Sequence, residues 1–345
     1  MRPAAENPSN LPACAADSIS RITAGDWNAL LTEDDAPFLR HEFLQLLEDS
    51  GCVGEGSGWI PNHLTLVDES GLAAACPAYI KHHSYGEYVF NWAWARAYDQ
   101  HGVRYYPKLV ATIPFTPVTT RKLLVRPGSD QSVRERLVSG LREEAESRGL
   151  SSVHALFLTA DEADGFDRLG MIPRRDIQFH WSNDGYSDFD DFLSRFTSKK
   201  RKNIRAERRR VRDAGIRYRF LAADQTTPED WHSMYDFYFQ TVAAHGGIPY
   251  LNREFFNGLP TALGDRVRLL LGASTGYTVC GALFLQSSTT LYGRYWGAAG
   301  FVENLHFETC YYQPIEYAID QGLASFEAGA QGTHKLNRGL VPAQT

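Results

Sequence analysis

The chain has 345 residues, a formal charge of −6 and a pI near 6.0, with 43% hydrophobic and 22% charged residues. That composition is that of a soluble globular protein of one or two domains with a sizeable core, and it argues against general binding of polyanions. The five cysteines, Cys14, Cys52, Cys76, Cys280 and Cys310, are odd in number and form no CxxC pair, which excludes a disulfide framework and a structural zinc site and points to a reducing compartment.

Residues 1–18 are rich in Pro, Asn, Ala and Ser, lack the apolar segment of a signal peptide, and are expected to be a disordered tail. No apolar run approaches the roughly 20 residues of a membrane span, so a cytoplasmic location is expected. EFLQLLEDSG predicts a short amphipathic helix stopped by Gly51, and GCVGEGSGWIPN a Gly-rich loop. HLTLVDESGLAAACPAYIKH predicts a hairpin turning at Asp68–Gly71. NWAWARAYDQHGVRYYP is expected to be irregular; its aromatics, with Arg96, Asp99 and His101, would line an acceptor cleft or pack a long loop. A strand in PKLVATIPFTPVTT, a helix in DQSVRERLVSGLREEAESRG with Val133, Leu137 and Leu141 on one face, and a buried strand in LSSVHALFLT complete the first half.

The second half repeats this order. RVRLLLGASTGYTVCGALFLQSSTTLYGRYWG predicts a three-strand meander, ENLHFETCYYQPIEYAIDQG a helix that Pro314 kinks or delays, and LASFEAGA a strand. LVDESGLAAACPA and LGASTGYTVCGA align with an offset of one residue. Two α/β domains follow, 19–185 and 186–345, each a mixed sheet flanked by helices. The second opens on a helix whose start, Ser187 with Asp190, resembles a capping box. Phe189, Phe192, Leu193 and Phe196 give it an apolar face, and the charged run SKKRKNIRAERRRVRDAG follows, with Ile204 and Val211 seven apart and Gly215 as a stop. That run holds nine Lys or Arg against two acids, so the rest of the chain carries −13. It serves either as a solvated helix face or as a contact for phosphates through Lys199, Lys200, Arg201, Lys202 and Arg205.

Six stretches, FTPVTTRKLL, SKKRKNIRAERRRVRDAG, HGGIPYL, LYGRYWG, HFETCYYQ and GAQGTHKLNRG, spread from about residue 40 onward, resemble the FemAB-like branch of the GNAT acyltransferase superfamily. The resemblance implies two tandem GNAT-like domains and transfer of an aminoacyl or acyl group from an activated donor to an amine or related nucleophile of a small-molecule or cell-wall-precursor acceptor. The best-known relatives of this kind draw on aminoacyl-tRNA. Family chains usually carry a Gly where TPVTTRK stands, so that turn is expected to differ. They also usually run on for tens of residues past HKLNRG, so a closing C-terminal element is expected to be absent here or supplied otherwise.

An acyl-CoA donor calls for a Gly-rich turn of the form Gln/Arg-x-x-Gly-x-Gly/Ala at a helix start, where free N–H groups meet the pyrophosphate. Neither GRYWGAAGFVENLHF nor RPGSDQSVRERL has that order. With the basic run present, aminoacyl-tRNA is the expected donor and acyl-CoA the alternative. A nucleotide-linked acceptor is a further use for the basic run, and a non-catalytic module binding peptidoglycan precursor or RNA is the competing function.

Acyl transfer to an amine needs a neutral nucleophile, stabilisation of a tetrahedral oxyanion and a proton route to the leaving group. GAQGTHKLNRG concentrates suitable groups after a strand: Gln331 to orient a carbonyl, His334 to shuttle a proton, Lys335 to stabilise the oxyanion, and Arg338. In HFETCYYQ, Glu308 is a candidate general base, an ammonium anchor, or an acid meeting a helix dipole. His306 and Cys310 share a helical face there, too few ligands for a metal, and none is expected. HGGIPYL offers His245 and Tyr250 on a loop that a ligand can approach. LYGRYWG, read as a regular strand, puts Tyr292, Arg294 and Trp296 on one face and Leu291, Gly293 and Tyr295 on the other. Arg294 would bind an anion or pair with a core acid, and Tyr295 would line the substrate site.

Overall fold

The computed structural model describes residues 11–345 apart from Phe90 and Gln331. The chain divides between Arg175 and Asp176 into two compact units, the second reaching Gln344. The first unit has two four-stranded sheets. One has the order β1 (Ala13–Ala16), β3 (His63–Asp68), β4 (Gly71–Cys76), β7 (Leu124–Val125), and the other β2 (Trp59–Pro61), β5 (Ala78–Lys81), β6 (Lys108–Ala111), β8 (Val153–Ala155). Its helices are α1 (Ala24–Asn28), α2 (His41–Asp49), α3 (Trp92–Gln100), α4 (Gln131–Ser147) and α5 (Ala160–Arg168). The hairpin at Asp68–Gly71 forms as expected, because β3 and β4 bury Leu64, Leu66, Ala74 and Cys76 against Val133, Leu137 and Leu141 of α4. α4 approaches closely at Gly140, where a Cβ would meet Ala13 and Leu64 at 2.9 Å.

Three expectations change here. The predicted tail is ordered over residues 11–18: Leu11 is buried and β1 pairs with β3, from Ala13 opposite Leu66 to Ala16 opposite His63. The segment expected to be irregular forms α3, a helix that buries no residue. β8 is half-buried, not buried.

The second unit is built on one seven-stranded sheet in the order β10 (Arg217–Ala222), β11 (Val267–Ser274), β12 (Tyr277–Gln286), β13 (Thr290–Ala298), β14 (Ser325–Glu327), β9 (Ile177–Ser182), β15 (Val341–Gln344). Every neighbour pair is antiparallel except β13–β14. β9 belongs to this unit because it pairs with both β14 and β15, so the division falls before it and ahead of residue 185. The helices are α6 (Phe189–Ser194), α7 (Ser198–Asp213), α8 (Pro228–Ala244), α9 (Arg253–Leu263), α10 (Leu305–Phe307) and α11 (Gln313–Asp320).

The cap of α6 lies one residue later than Ser187. Asp188 accepts from Asp191 N–H, while Ser187 donates back to the Asp191 carboxylate. Thr197 then caps α7 by accepting from Lys200 N–H, Ile204 and Val211 turn inward, and Gly215 ends the element at φ +79°. On one face of the sheet, Phe189, Phe192 and Leu193 of α6, Ile204 of α7, and Ile315, Ala318 and Ile319 of α11 pack with Leu270, Ala282, Phe284, Leu291 and Phe326. α8 packs so tightly on β13 that a Cβ at Gly297 would lie 2.2 Å from the Phe237 carbonyl oxygen.

Candidate functional site

β13 and β14 pair only from Thr290 to Tyr292 against Ser325 to Glu327. β13 then continues to Ala298 with no β14 residue in register, so the sheet opens beyond Tyr292 and Glu327. A gap at the carboxyl ends of parallel strands is where α/β sheets place ligands. The topology delivers two motifs to it: HFETCYYQ follows β13 and GAQGTHKLNRG follows β14.

HFETCYYQ does not form a plain helix. After α10, residues Glu308–Tyr312 make a π-helical turn, and α11 resumes at Gln313 with Pro314 in its first turn, where no N–H is required. Such turns are frequent at functional sites. This one carries Tyr311 toward the GAQGTHKLNRG turn and Tyr312 toward α7: the Tyr311 hydroxyl lies 2.8 Å from His334 Nε2, and the Tyr312 hydroxyl donates to Glu207 of α7. Arg338 donates to the His334 carbonyl at 2.9 Å, lies 3.4 Å from Glu207, and stacks 3.3 Å above the Phe307 ring. The His306 ring sits 4.5 Å from Trp296 and 5.9 Å from His334. Lys335 is only 2% exposed and donates to the Gly329 carbonyl at 2.6 Å.

Burial sets the protonation of these groups. It lowers Lys335 to about 8, so the ammonium form still prevails at pH 7. It lowers His334, with Arg338 and Lys335 adding repulsion, so the imidazole is neutral there. His306 falls to about 4 by burial and the nearby His334. Burial raises Tyr311, which stays a hydroxyl.

Glu308 faces a different space. It lines a cleft of about 630 Å³ with Arg205, Arg208, Arg209 and Arg212 of α7, Arg217, and Glu316. Its Oε1 accepts from Arg208 Nε at 3.1 Å and from Gln313 at 2.7 Å, while Arg208 also binds Glu316 at 2.5 Å. Burial raises the Glu308 carboxyl, against the lowering effect of Arg208.

Residues 18–345 match the FemAB-like family, described as peptidoglycan biosynthesis/recognition. The chain belongs to the FemAB-like family. No curated protein matches it significantly by sequence. Among solved structures, FemX is 12% identical over 93% of this chain and 94% of its own, with a TM-score of 0.54. A conserved protein of unknown function from Bacteroides thetaiotaomicron is 11% identical over 97% and 98%, with a TM-score of 0.53. L-PGS from Bacillus licheniformis is 9% identical over 87% of both chains, with a TM-score of 0.50. These likenesses are of fold. The family's description covers both biosynthesis and recognition of peptidoglycan, and the shared α/β fold spans most of the chain.

In this FemAB-like chain, His334, Lys335, Arg338 and His306 converge at the open end of β13 and β14. Gln331 lies outside the described residues. Glu308 lies on the arginine side of the π turn. His245, Tyr250 and Tyr295 gather elsewhere, around α8 and α9: exposed His245 ends α8 with Nδ1 2.8 Å from the Thr241 carbonyl, Tyr250 N–H donates to Tyr238, and Tyr295 packs 4.8 Å from Tyr238. Regular alternation along LYGRYWG fails because Leu283 pairs with Tyr295 and Phe284 with Gly293, leaving Arg294 as a bulge residue stacked on Tyr295. The bulge puts Trp296 on the face of Leu291 and turns Tyr295 to the face of Tyr292.

The basic run also divides. Lys199 and Lys202 are exposed with no acid partner among the described residues. Lys200 reaches Asn337 of the HKLNRG turn at 2.8 Å, Arg201 binds the Phe196 carbonyl at 2.6 Å, and Arg205 pairs with Asp190 at 2.9 Å. Sequence reasoning passed over Arg208, Arg209 and Arg212. Yet with Arg205 they stand at i, i+3, i+4 and i+7, the spacing of one helical face. It also passed over Tyr311, for which only the π turn supplies a signal.

Proposed function

We propose that the chain transfers an aminoacyl group from aminoacyl-tRNA, in preference to an acyl group from acyl-CoA, to an amine of a cell-wall-precursor or small-molecule acceptor. The observation that carries this reading is the Tyr311–His334–Lys335 arrangement at the gap between β13 and β14. Neutral His334 takes a proton from the attacking amine as the C–N bond forms. The Lys335 ammonium keeps two protons beyond the one given to Gly329, and these stabilise the tetrahedral oxyanion. His334 passes its Nε2 proton to the Tyr311 oxygen while the Tyr311 hydroxyl gives its own proton to the leaving ribose oxygen as the C–O bond breaks, so both side chains end neutral as they began.

Two features support the donor choice. Lys200 ties the start of α7 to the HKLNRG turn, so phosphates held by exposed Lys199 and Lys202 would lie beside this site. In the turn after β13, the glycines do not shape a phosphate nest: neither Gly297 nor Gly300 has positive φ, the Ala299 N–H is bound to the Val279 carbonyl at 2.8 Å, and the left-handed residue is Asn304. The test is incubation with charged tRNA or with acyl-CoA and candidate amine acceptors. Transfer from charged tRNA, lost in Lys335→Ala and His334→Ala, is the expected result. Transfer from CoA alone overturns the donor, and acceptor or RNA binding without transfer from either donor makes the chain a binding module.

A further inference from the structure

The cleft between α7 and the π turn is separate from the acyl-transfer groups: His334, Lys335 and Arg338 are not among its lining residues. Its charge is unevenly placed. At its floor, Glu308 shares the guanidinium of Arg208 with Glu316, whose side chain is 37% exposed. The Glu308 side chain is 5% exposed, and its Oε2 is buried with no hydrogen-bond partner. A buried carboxylate oxygen left unmatched is costly, and a ligand that supplies a cationic donor removes that cost. At the rim, Arg209 and Arg212 are exposed and have no acid partner among the described residues. The floor thus attracts a cation and the rim an anion.

We propose that this cleft binds a zwitterionic ligand, with an ammonium on Glu308 Oε2 and a phosphate on Arg209 and Arg212. The cleft volume, about 630 Å³, lies within the range for small-molecule sites. Neither end alone accounts for the arrangement. A simple anion site has no use for a buried, half-matched carboxylate, and a simple ammonium site has none for free arginines at its rim. The inference goes beyond acyl transfer and stands whichever donor is used.

The experiment is calorimetric titration of the full chain with O-phosphoethanolamine and 5-aminopentyl phosphate, which bracket the span. Their N-acetylated forms and inorganic phosphate complete the set. At least one aminoalkyl phosphate binds about tenfold more tightly than its N-acetylated form. Glu308→Gln, which keeps the shape and removes the charge, abolishes that preference. The double variant Arg209→Gln/Arg212→Gln, on the exposed rim where folding is little affected, weakens the free and acetylated probes alike and keeps the preference. Equal binding of free and acetylated probes, a preference that survives Glu308→Gln, or no binding of any probe to the unmodified chain overturns the proposal. Because acyl transfer is assayed separately through His334 and Lys335, failure here leaves that reading intact.

Discussion

Lys335→Met should make the protein more stable while abolishing transfer. Burial holds Lys335 near 8 instead of its ordinary 10.5, a gap that corresponds to about 3 kcal/mol of unfavourable charge burial at pH 7. Removing the lysine leaves the Gly329 carbonyl without this donor, which costs about 1 kcal/mol. Methionine fills similar space without charge, so the variant should gain about 2 kcal/mol at pH 7, or roughly 4 to 8 °C in Tm for a unit of this size. The sign of the pH dependence is fixed. Between about 8 and 10.5 the unfolded lysine is protonated and the folded one is not, so wild-type stability rises with pH through that window. The variant lacks this rise, and its advantage shrinks as pH climbs. The assay is urea unfolding of both proteins at pH 7 and pH 10, with their difference cancelling every other titrating group. A variant less stable than wild type at pH 7, or an advantage constant across the window, refutes the reasoning.

Transfer should follow a bell-shaped pH profile, with an acid limb below 6.5 from His334 and an alkaline limb near 8 from Lys335; Lys335→Arg should remove the alkaline limb in steady-state rates. Tyr311→Phe should lower kcat about 10- to 100-fold with little change in KM, because it removes a proton carrier and no binding contact. Lys199→Gln/Lys202→Gln should reduce the salt slope of log affinity for charged tRNA by roughly 1.4 to 1.8, while thermal melting stays unchanged because both side chains are exposed. Gly297→Ala should destabilise the second unit by about 1 to 3 kcal/mol, seen as an earlier melting transition, because its Cβ meets backbone at Phe237 that cannot yield without moving α8.

The sequence by itself determined the elements whose signals are local. Turn residues at Asp68–Gly71 set the β3–β4 hairpin. The four-residue spacing of Val133, Leu137 and Leu141 set α4. The seven-residue spacing of Ile204 and Val211 set the buried side of α7. Period and turn chemistry act between near neighbours, and a reader of the chain has both. The same holds for the residues after β14: His334, Lys335 and Arg338 stand out as a polar concentration following a strand. Tertiary structure alone decided the rest. A one-residue bulge at Arg294 reversed the faces of Tyr295 and Trp296, because strand alternation has period 2 and one extra residue inverts everything after it. One extra residue in the π turn aimed Tyr311 at the HKLNRG turn, turned Tyr312 to Glu207 of α7, and left Glu308 facing the arginines of α7. β1 joined the sheet although its own composition reads as a tail, since strand pairing is supplied by a partner about 50 residues away. Helical spacing could have shown Arg205, Arg208, Arg209 and Arg212 as one face. That this face looks onto a buried carboxylate with a free oxygen is a fact of packing, which no local pattern encodes.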